Sequence, residues 1–249
     1  LNIGYSFSNP NTTIKHNSIM LKINVASETK YIVKGNGVHT AFVDHVELLK
    51  SNSDVEVLIN NEGVGDVFHC HTYGLYYFLR GARYKGKRIH TVHVIPDSIK
   101  GSLPFWQVFM PFVKWYFKQV YSFADVCIAI SPMVEEVIKQ TGANTEIVRI
   151  PNPIHIEKWK RTPEKRKQGR EMLGLSENDF VVLGVGQLQA RKGVEDFIDI
   201  ATAIPNAKFV WAGGRPFKVM TEGIARIDAR IEKAPANIHF TGMLDLEQM

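Results

Sequence analysis

The chain has 249 residues, 45% of them hydrophobic and 22% charged, and its 30 Lys and Arg against 25 Asp and Glu give a net charge of +5. This balance excludes a disordered or fibrous chain and allows a sizeable buried core in one large domain or two modest ones. The excess of cations favours anionic partners, among them small-molecule phosphates, lipid head groups and nucleic acid.

The first 19 residues are polar and lack the apolar stretch of a signal peptide, so residues 1–19 are expected to form a non-native or disordered leader, with Met20 as the natural start. From there short apolar runs alternate with helix-period segments. Leu21–Ala26 reads as a strand, and the following loop carries Gly35 and Gly37 ahead of a helix over Val38–Lys50. Glycines there bring backbone N–H groups close to an anion or a sugar hydroxyl at a helix start, although a tight turn without a ligand reads equally well. Strands at Val55–Ile59 and Asp66–His71 come next; His69 and His71 share one face of the second. As a metal pair they lack a third ligand at sensible spacing, so no metal is expected. Cys70 and Cys127 sit in apolar strand runs and read as free buried thiols.

A helix over Leu75–Tyr84 precedes a strand at Arg88–Val94 with His93 at its carboxyl edge, then a loop with Asp97 and Ser98. A histidine in that position is either a structural residue or a ligand-facing one. Residues 103–123 are aromatic-rich but interrupted by Pro111, Lys114 and Lys118, which makes a poor membrane span. They read as a buried helix or as an interfacial helix lying on a membrane. Strands at Val126–Ile130 and Glu146–Ile150 flank a helix at Met133–Thr141.

Residues 151–170 are Pro-flanked, basic and poor in apolar side chains, a boundary signal. A second series follows: a helix at Thr162–Leu173, a strand at Phe180–Gly186, helices at Val194–Ile204 and Phe217–Lys233, and strands at Lys208–Ala212 and Ile238–Gly242. Strands alternating with helices predict parallel sheets, hence an α/β fold of two tandem doubly wound Rossmann-like domains, residues 20–152 and 153–249, the second truncated. Arg191 and Lys192 stand just ahead of a helix start after Gly186. Two adjacent cations there suit a pyrophosphate, the alternative being a solvated charge pair. A dinucleotide cofactor fits poorly, because Gln189 replaces the third fingerprint glycine and the strand at 208–212 ends without a ribose-binding acid.

The ordered pieces KINVAS with GNGV, DVFHCH, TVH with PDS, ADVCIAIS, IPNPI, GVGQLQARKG and WAGG resemble the GT-B glycosyltransferases, within them the retaining family 4, and more loosely bacterial diacylglycerol glycosyltransferases. The resemblance implies a nucleotide-sugar donor, with UDP-glucose or UDP-galactose expected, and an acceptor hydroxyl on a membrane glycolipid. It implies that Gly35 and Gly37 approach donor phosphates or the acceptor and that His93 sits beside the transferred sugar. Arg191 and Lys192 would grip the diphosphate, with Gly186, Gly213, Gly214 and Arg215 around the nucleotide, and neither a metal nor another cofactor would be needed. Against the family pattern, no E-x7-E element occurs in a matching context; its place would fall after Met249. The expectation is therefore an incomplete transferase, cytoplasmic or peripheral at the inner face of the cell membrane. A soluble sugar or polymer acceptor, or a non-catalytic module that binds nucleotide sugars, are the alternatives. Basic patches without any RNA- or DNA-binding motif weigh against nucleic acid.

Overall fold

The computed structural model describes residues 20–29, 37–60, 65–82, 84–99, 106–215, 224–245 and 248–249. The predicted leader 1–19, Gly35 and the first turns of the helix expected from Phe217 lie outside the described residues.

Six parallel strands form the first sheet: β1 (Leu21–Ala26), β2 (Val55–Ile59), β3 (Val67–Cys70), β4 (Lys87–Val92), β5 (Val126–Ala129) and β6 (Glu146–Arg149), in the order β2-β1-β3-β4-β5-β6. Four helices alternate with them: α1 (Gly37–Lys50), α2 (Leu75–Gly81), α3 (Trp106–Phe123) and α4 (Pro132–Thr141). Parallel strands buried on both faces are built from near-continuous apolar runs, and β1 buries Ile23 and Val25 against Phe42 and Val46 of α1. The larger core lies under α3 and α4, where Phe117, Val120 and Tyr121 meet Val92, Cys127, Ala129 and Ile138. The start of α4 is fixed by Ser131, whose Oγ accepts from the Val134 N–H at 3.3 Å, with Pro132 in the first turn.

The chain steps from β1 out to β2 and then back across to β3, so the connectivity reverses direction between β1 and β3. Such a reversal leaves a crevice at the carboxyl ends of the two strands, because the loops leave in opposite directions.

Two short helices, α5 (Ile156–Trp159) and α6 (Pro163–Met172), occupy the basic segment. The second sheet contains β7 (Val181–Val185), β8 (Lys208–Ala212) and β9 (Ile238–Gly242), parallel and in that order, with α7 (Val194–Ala203) and α8 (Ile224–Glu232) packed on it. Its core is Val194, Trp211 and Ile227 at one end and Ala201, Ala207 and Phe209 at the other. Sequence periodicity placed each of these strands to within about two residues; α5, one turn long, is too short for a periodic signal.

Residues 103–123 read as a buried helix or as an interfacial one, and α3 has a buried face and an exposed apolar face. Met110, Phe117, Val120 and Tyr121 are buried, whereas Val108, Phe109, Phe112 and Trp115 are between 55% and 74% exposed.

Candidate active site

A cleft of about 1210 Å3 separates the carboxyl ends of the two sheets. One wall is α1, presenting Gly37, Thr40, Ala41 and Asp44, which at i, i+3, i+4 and i+7 form a single stripe. An ideal Cβ on Gly37 would meet nothing within 4 Å, so this glycine leaves open space at the wall. The opposite wall holds Val185, Gly186, Gln187, Arg191, Lys192, Gly213, Gly214 and Met243.

The glycines of this second wall are packed on each other. Gly213 has φ +133° and its Cβ would fall 2.2 Å from the Gly186 carbonyl oxygen; a Cβ on Gly214 would lie 2.9 Å from the Met243 nitrogen. The Trp211 indole N–H donates to the Gly186 carbonyl at 2.9 Å and fixes the turn. The result is a wall of bare backbone, the surface that a phosphate or a flat base can approach closely.

Arg191 and Lys192 lie in a single 3-10 turn, Ala190–Lys192, and Gly193 in the left-handed conformation (φ 72°) leads directly into α7. Both cations are exposed to the cleft, and neither is in an ion pair among the described residues. Two unneutralised charges beside a helix N-terminus give a positive field suited to a diphosphate.

His93 follows β4 directly, at the carboxyl edge of the first sheet. It does not line the cleft among the described residues; its Nε2 faces His71 Nδ1 at 3.0 Å, and His71 Nε2 faces His45 Nδ1 of α1 at 2.8 Å. His69, one pleat back, holds Thr91 Oγ1 at 2.7 Å. Sequence spacing found His69 and His71 without a third partner; the reversal at β1/β3 supplies it by laying α1 over β3, which is a correction to that reading. The nitrogens of His45, His69 and His71 lie within 4.8 Å of one another, close enough to take a metal ion. Ligand atoms at about 2.0–2.1 Å from a tetrahedral metal would sit roughly 3.3 Å apart. The 2.8 Å contact between His45 and His71 is instead that of a hydrogen bond. Burial keeps these rings neutral: it lowers His45, takes His69 and His71 well below the usual histidine range, and brings His93 to about 4.

Asp97 and Ser98 are exposed on the 3-10 turn Pro96–Ile99, and Ser98 Oγ accepts from the Ile95 N–H at 3.3 Å, a turn-forming role outside the described cleft lining. Arg215 pairs with Asp228 of α8. Cys70 and Cys127 are buried, free and unreactive in character, with burial pushing Cys70 up to about 12 and Cys127 to about 11. Missed from sequence were Thr40, Asp44, His45 and Trp159. The stripe spacing on α1 was the one signal for Thr40 and Asp44.

Residues 58–158 match the model of Glycosyltransferase Family 4. Over 235 residues the chain is 34% identical to the alpha-galactosylglucosyldiacylglycerol synthase of Streptococcus pneumoniae, covering 92% of this chain and 63% of that protein. It is 26% identical to the processive diacylglycerol alpha-glucosyltransferase of Acholeplasma laidlawii, covering 90% and 67%. The chain thus spans about two thirds of the length of these curated relatives. Among solved structures, Anabaena HepE in complex with UDP-glucose superposes with a TM-score of 0.68 at 18% identity, covering 92% of this chain and 71% of that one. Sucrose-phosphate synthase from Thermosynechococcus elongatus also gives 0.68, at 15% identity with 91% and 71% covered. The two parallel sheets share the GT-B fold of these solved structures, and the match to Glycosyltransferase Family 4 spans residues 58–158 of the chain.

Proposed function

We propose that this chain belongs to an enzyme that transfers a hexose from a UDP-sugar, glucose or galactose, to a hydroxyl of diacylglycerol or a glycosyl-diacylglycerol, with retention at the anomeric carbon. The observation that carries it is the pair Arg191 and Lys192, without an ion pair among the described residues, on the same cleft wall as the bare backbone of Gly186, Gly213 and Gly214. A UDP-sugar diphosphate would neutralise them, and negative charge growing on that diphosphate as the glycosidic bond breaks would strengthen the interaction, which is catalysis by electrostatic preference for the transition state. Two fixed cations supply what a divalent ion supplies elsewhere, so no metal is needed on this reading. Gly186, Gly213 and Gly214 would let the nucleotide approach the backbone, Gly37 would leave room for the sugar or acceptor, and His93 would stand at the sugar end. The names of the relatives from S. pneumoniae and A. laidlawii support the lipid acceptor.

The exposed face of α3 supports a membrane-bound acceptor. Phe109, Phe112 and Trp115 could enter the interfacial layer while Lys114 and Lys118 meet anionic head groups. No described helix is long and apolar enough to cross a membrane.

The test is product analysis with the intact protein, labelled UDP-glucose or UDP-galactose, and diacylglycerol or glucosyl-diacylglycerol vesicles. An α-linked lipid product is expected. Transfer to soluble sugars alone would replace the lipid reading, and failure to bind either UDP-sugar would end it.

A further inference from the structure

The three histidines His45, His71 and His93 are joined ring to ring, His45 Nδ1 to His71 Nε2 at 2.8 Å and His71 Nδ1 to His93 Nε2 at 3.0 Å. The rings of His71 and His93 lie end to end and nearly coplanar, 21° apart with centroids at 5.2 Å, and Phe42 meets His71 edge-on. Neither outer nitrogen, Nε2 of His45 nor Nδ1 of His93, has a hydrogen-bond partner among the described residues.

A neutral imidazole carries one N–H and one lone pair, so it must donate at one nitrogen and accept at the other. His71 is bonded at both. If it donates to His45, it accepts from His93 Nε2–H, and His93 presents a bare Nδ1. If it accepts from His45 Nδ1–H, it donates to His93 Nε2, and His93 presents Nδ1–H. Only these two arrangements satisfy both bonds with three neutral rings, and each costs an unmade buried bond to leave. The proton on His93 is therefore set from α1, two rings away.

We propose that His45 and His71 are positioning residues for His93, fixing through this chain of bonds whether His93 offers a donor or an acceptor at Nδ1. The proposal rests on the reading above, in which the donor sugar reaches His93, which lies behind the described lining of the cleft. An oxygen that can only accept, such as a phosphate oxygen, would select the arrangement with Nδ1–H. A sugar hydroxyl could use either, and the chain of rings would decide which. His45 lies next to Asp44 on the helix that lines the cleft, so a ligand pressing on α1 acts on the same element that sets His93.

The experiment is ring-nitrogen NMR of the intact protein labelled with 15N-histidine, comparing wild type with His45→Phe. His45 makes no bond to His93, so a purely local environment would leave the His93 shifts unchanged, and that result overturns the proposal. Coupling predicts that the His93 Nδ1 and Nε2 shifts both move in His45→Phe and return toward wild type in His45→Gln, which can still bond His71. Far-UV circular dichroism checks folding; if His45→Phe is unfolded, His45→Gln against His45→Leu carries the same comparison. In parallel, kcat for sugar transfer should fall several-fold in His45→Phe with KM for the UDP-sugar within about twofold. Moved shifts with an unchanged kcat would overturn the positioning role. Moved shifts in a protein whose wild type transfers no sugar would sink the proposed function and leave the coupling standing.

Discussion

Glycine does two different jobs in the cleft, and substitution separates them. Gly37 has open space where a side chain would be and does not need a left-handed backbone. Gly37→Ala should leave stability within about 0.5 kcal/mol of wild type, yet raise KM for donor or acceptor, read by a thermal melt alongside kinetics. Gly213 has φ +133° and a carbonyl oxygen 2.2 Å from its missing Cβ. Gly213→Ala should cost about 2 kcal/mol or more, seen as a lower urea midpoint. For the cations, Arg191→Ala should lower kcat by roughly 10²–10³-fold if the guanidinium meets charge in the transition state. Arg191→Lys should recover only part, since an ammonium cannot span two oxygens. The site at this scale was partly legible: adjacent cations before a helix start are a local pattern. His45 was not, because its partner is 26 residues away and only the sheet order brings them together.

Among the elements, α3 departs most from a simple reading. Its buried stripe runs through Met110, Phe117, Val120 and Tyr121, while Phe109, Phe112 and Trp115 face out, so apolar residues occupy two faces for two reasons. Replacing Phe109, Phe112 and Trp115 together by Ser should leave the urea midpoint nearly unchanged and abolish flotation with anionic vesicles; retained flotation would remove α3 as the docking element. Hydrophobic periodicity cannot distinguish these faces, because it measures only where apolar residues fall along the helix.

At the scale of the molecule, the first sheet buries neutral histidines. Burial takes His90 down to about 3 and His93 to about 4, whereas in the unfolded chain a histidine takes its proton near pH 6.5. Between those values the unfolded state binds more protons, so stability is full above about pH 6.5 and falls as pH drops, by about 1.4 kcal/mol per pH unit for each such ring. The urea midpoint should therefore drop between pH 7.5 and 5.5. Asp125 acts lower: the Arg88 N–H, donating at 2.8 Å, and its guanidinium hold the carboxyl below the usual range. That contribution is present above the ordinary carboxylate range and is lost as pH falls through the lowered value.

The sequence by itself determined the α/β class, the two series of parallel strands, the break near residues 151–170 and the cation pair at α7. Each depends on short-range pattern, hydrophobic period or charge at a helix start. Tertiary structure decided the rest. The strand order β2-β1-β3-β4-β5-β6 places the reversal beside β1 and β3, which lays α1 over β3 and turns a histidine pair into a bonded chain ending at His93. The facing of the two sheets turned Gly37, Thr40 and Asp44 into a wall opposite Arg191 and Lys192. Contacts between segments far apart in the chain follow from sheet order and packing, and a linear pattern of residue types does not encode them.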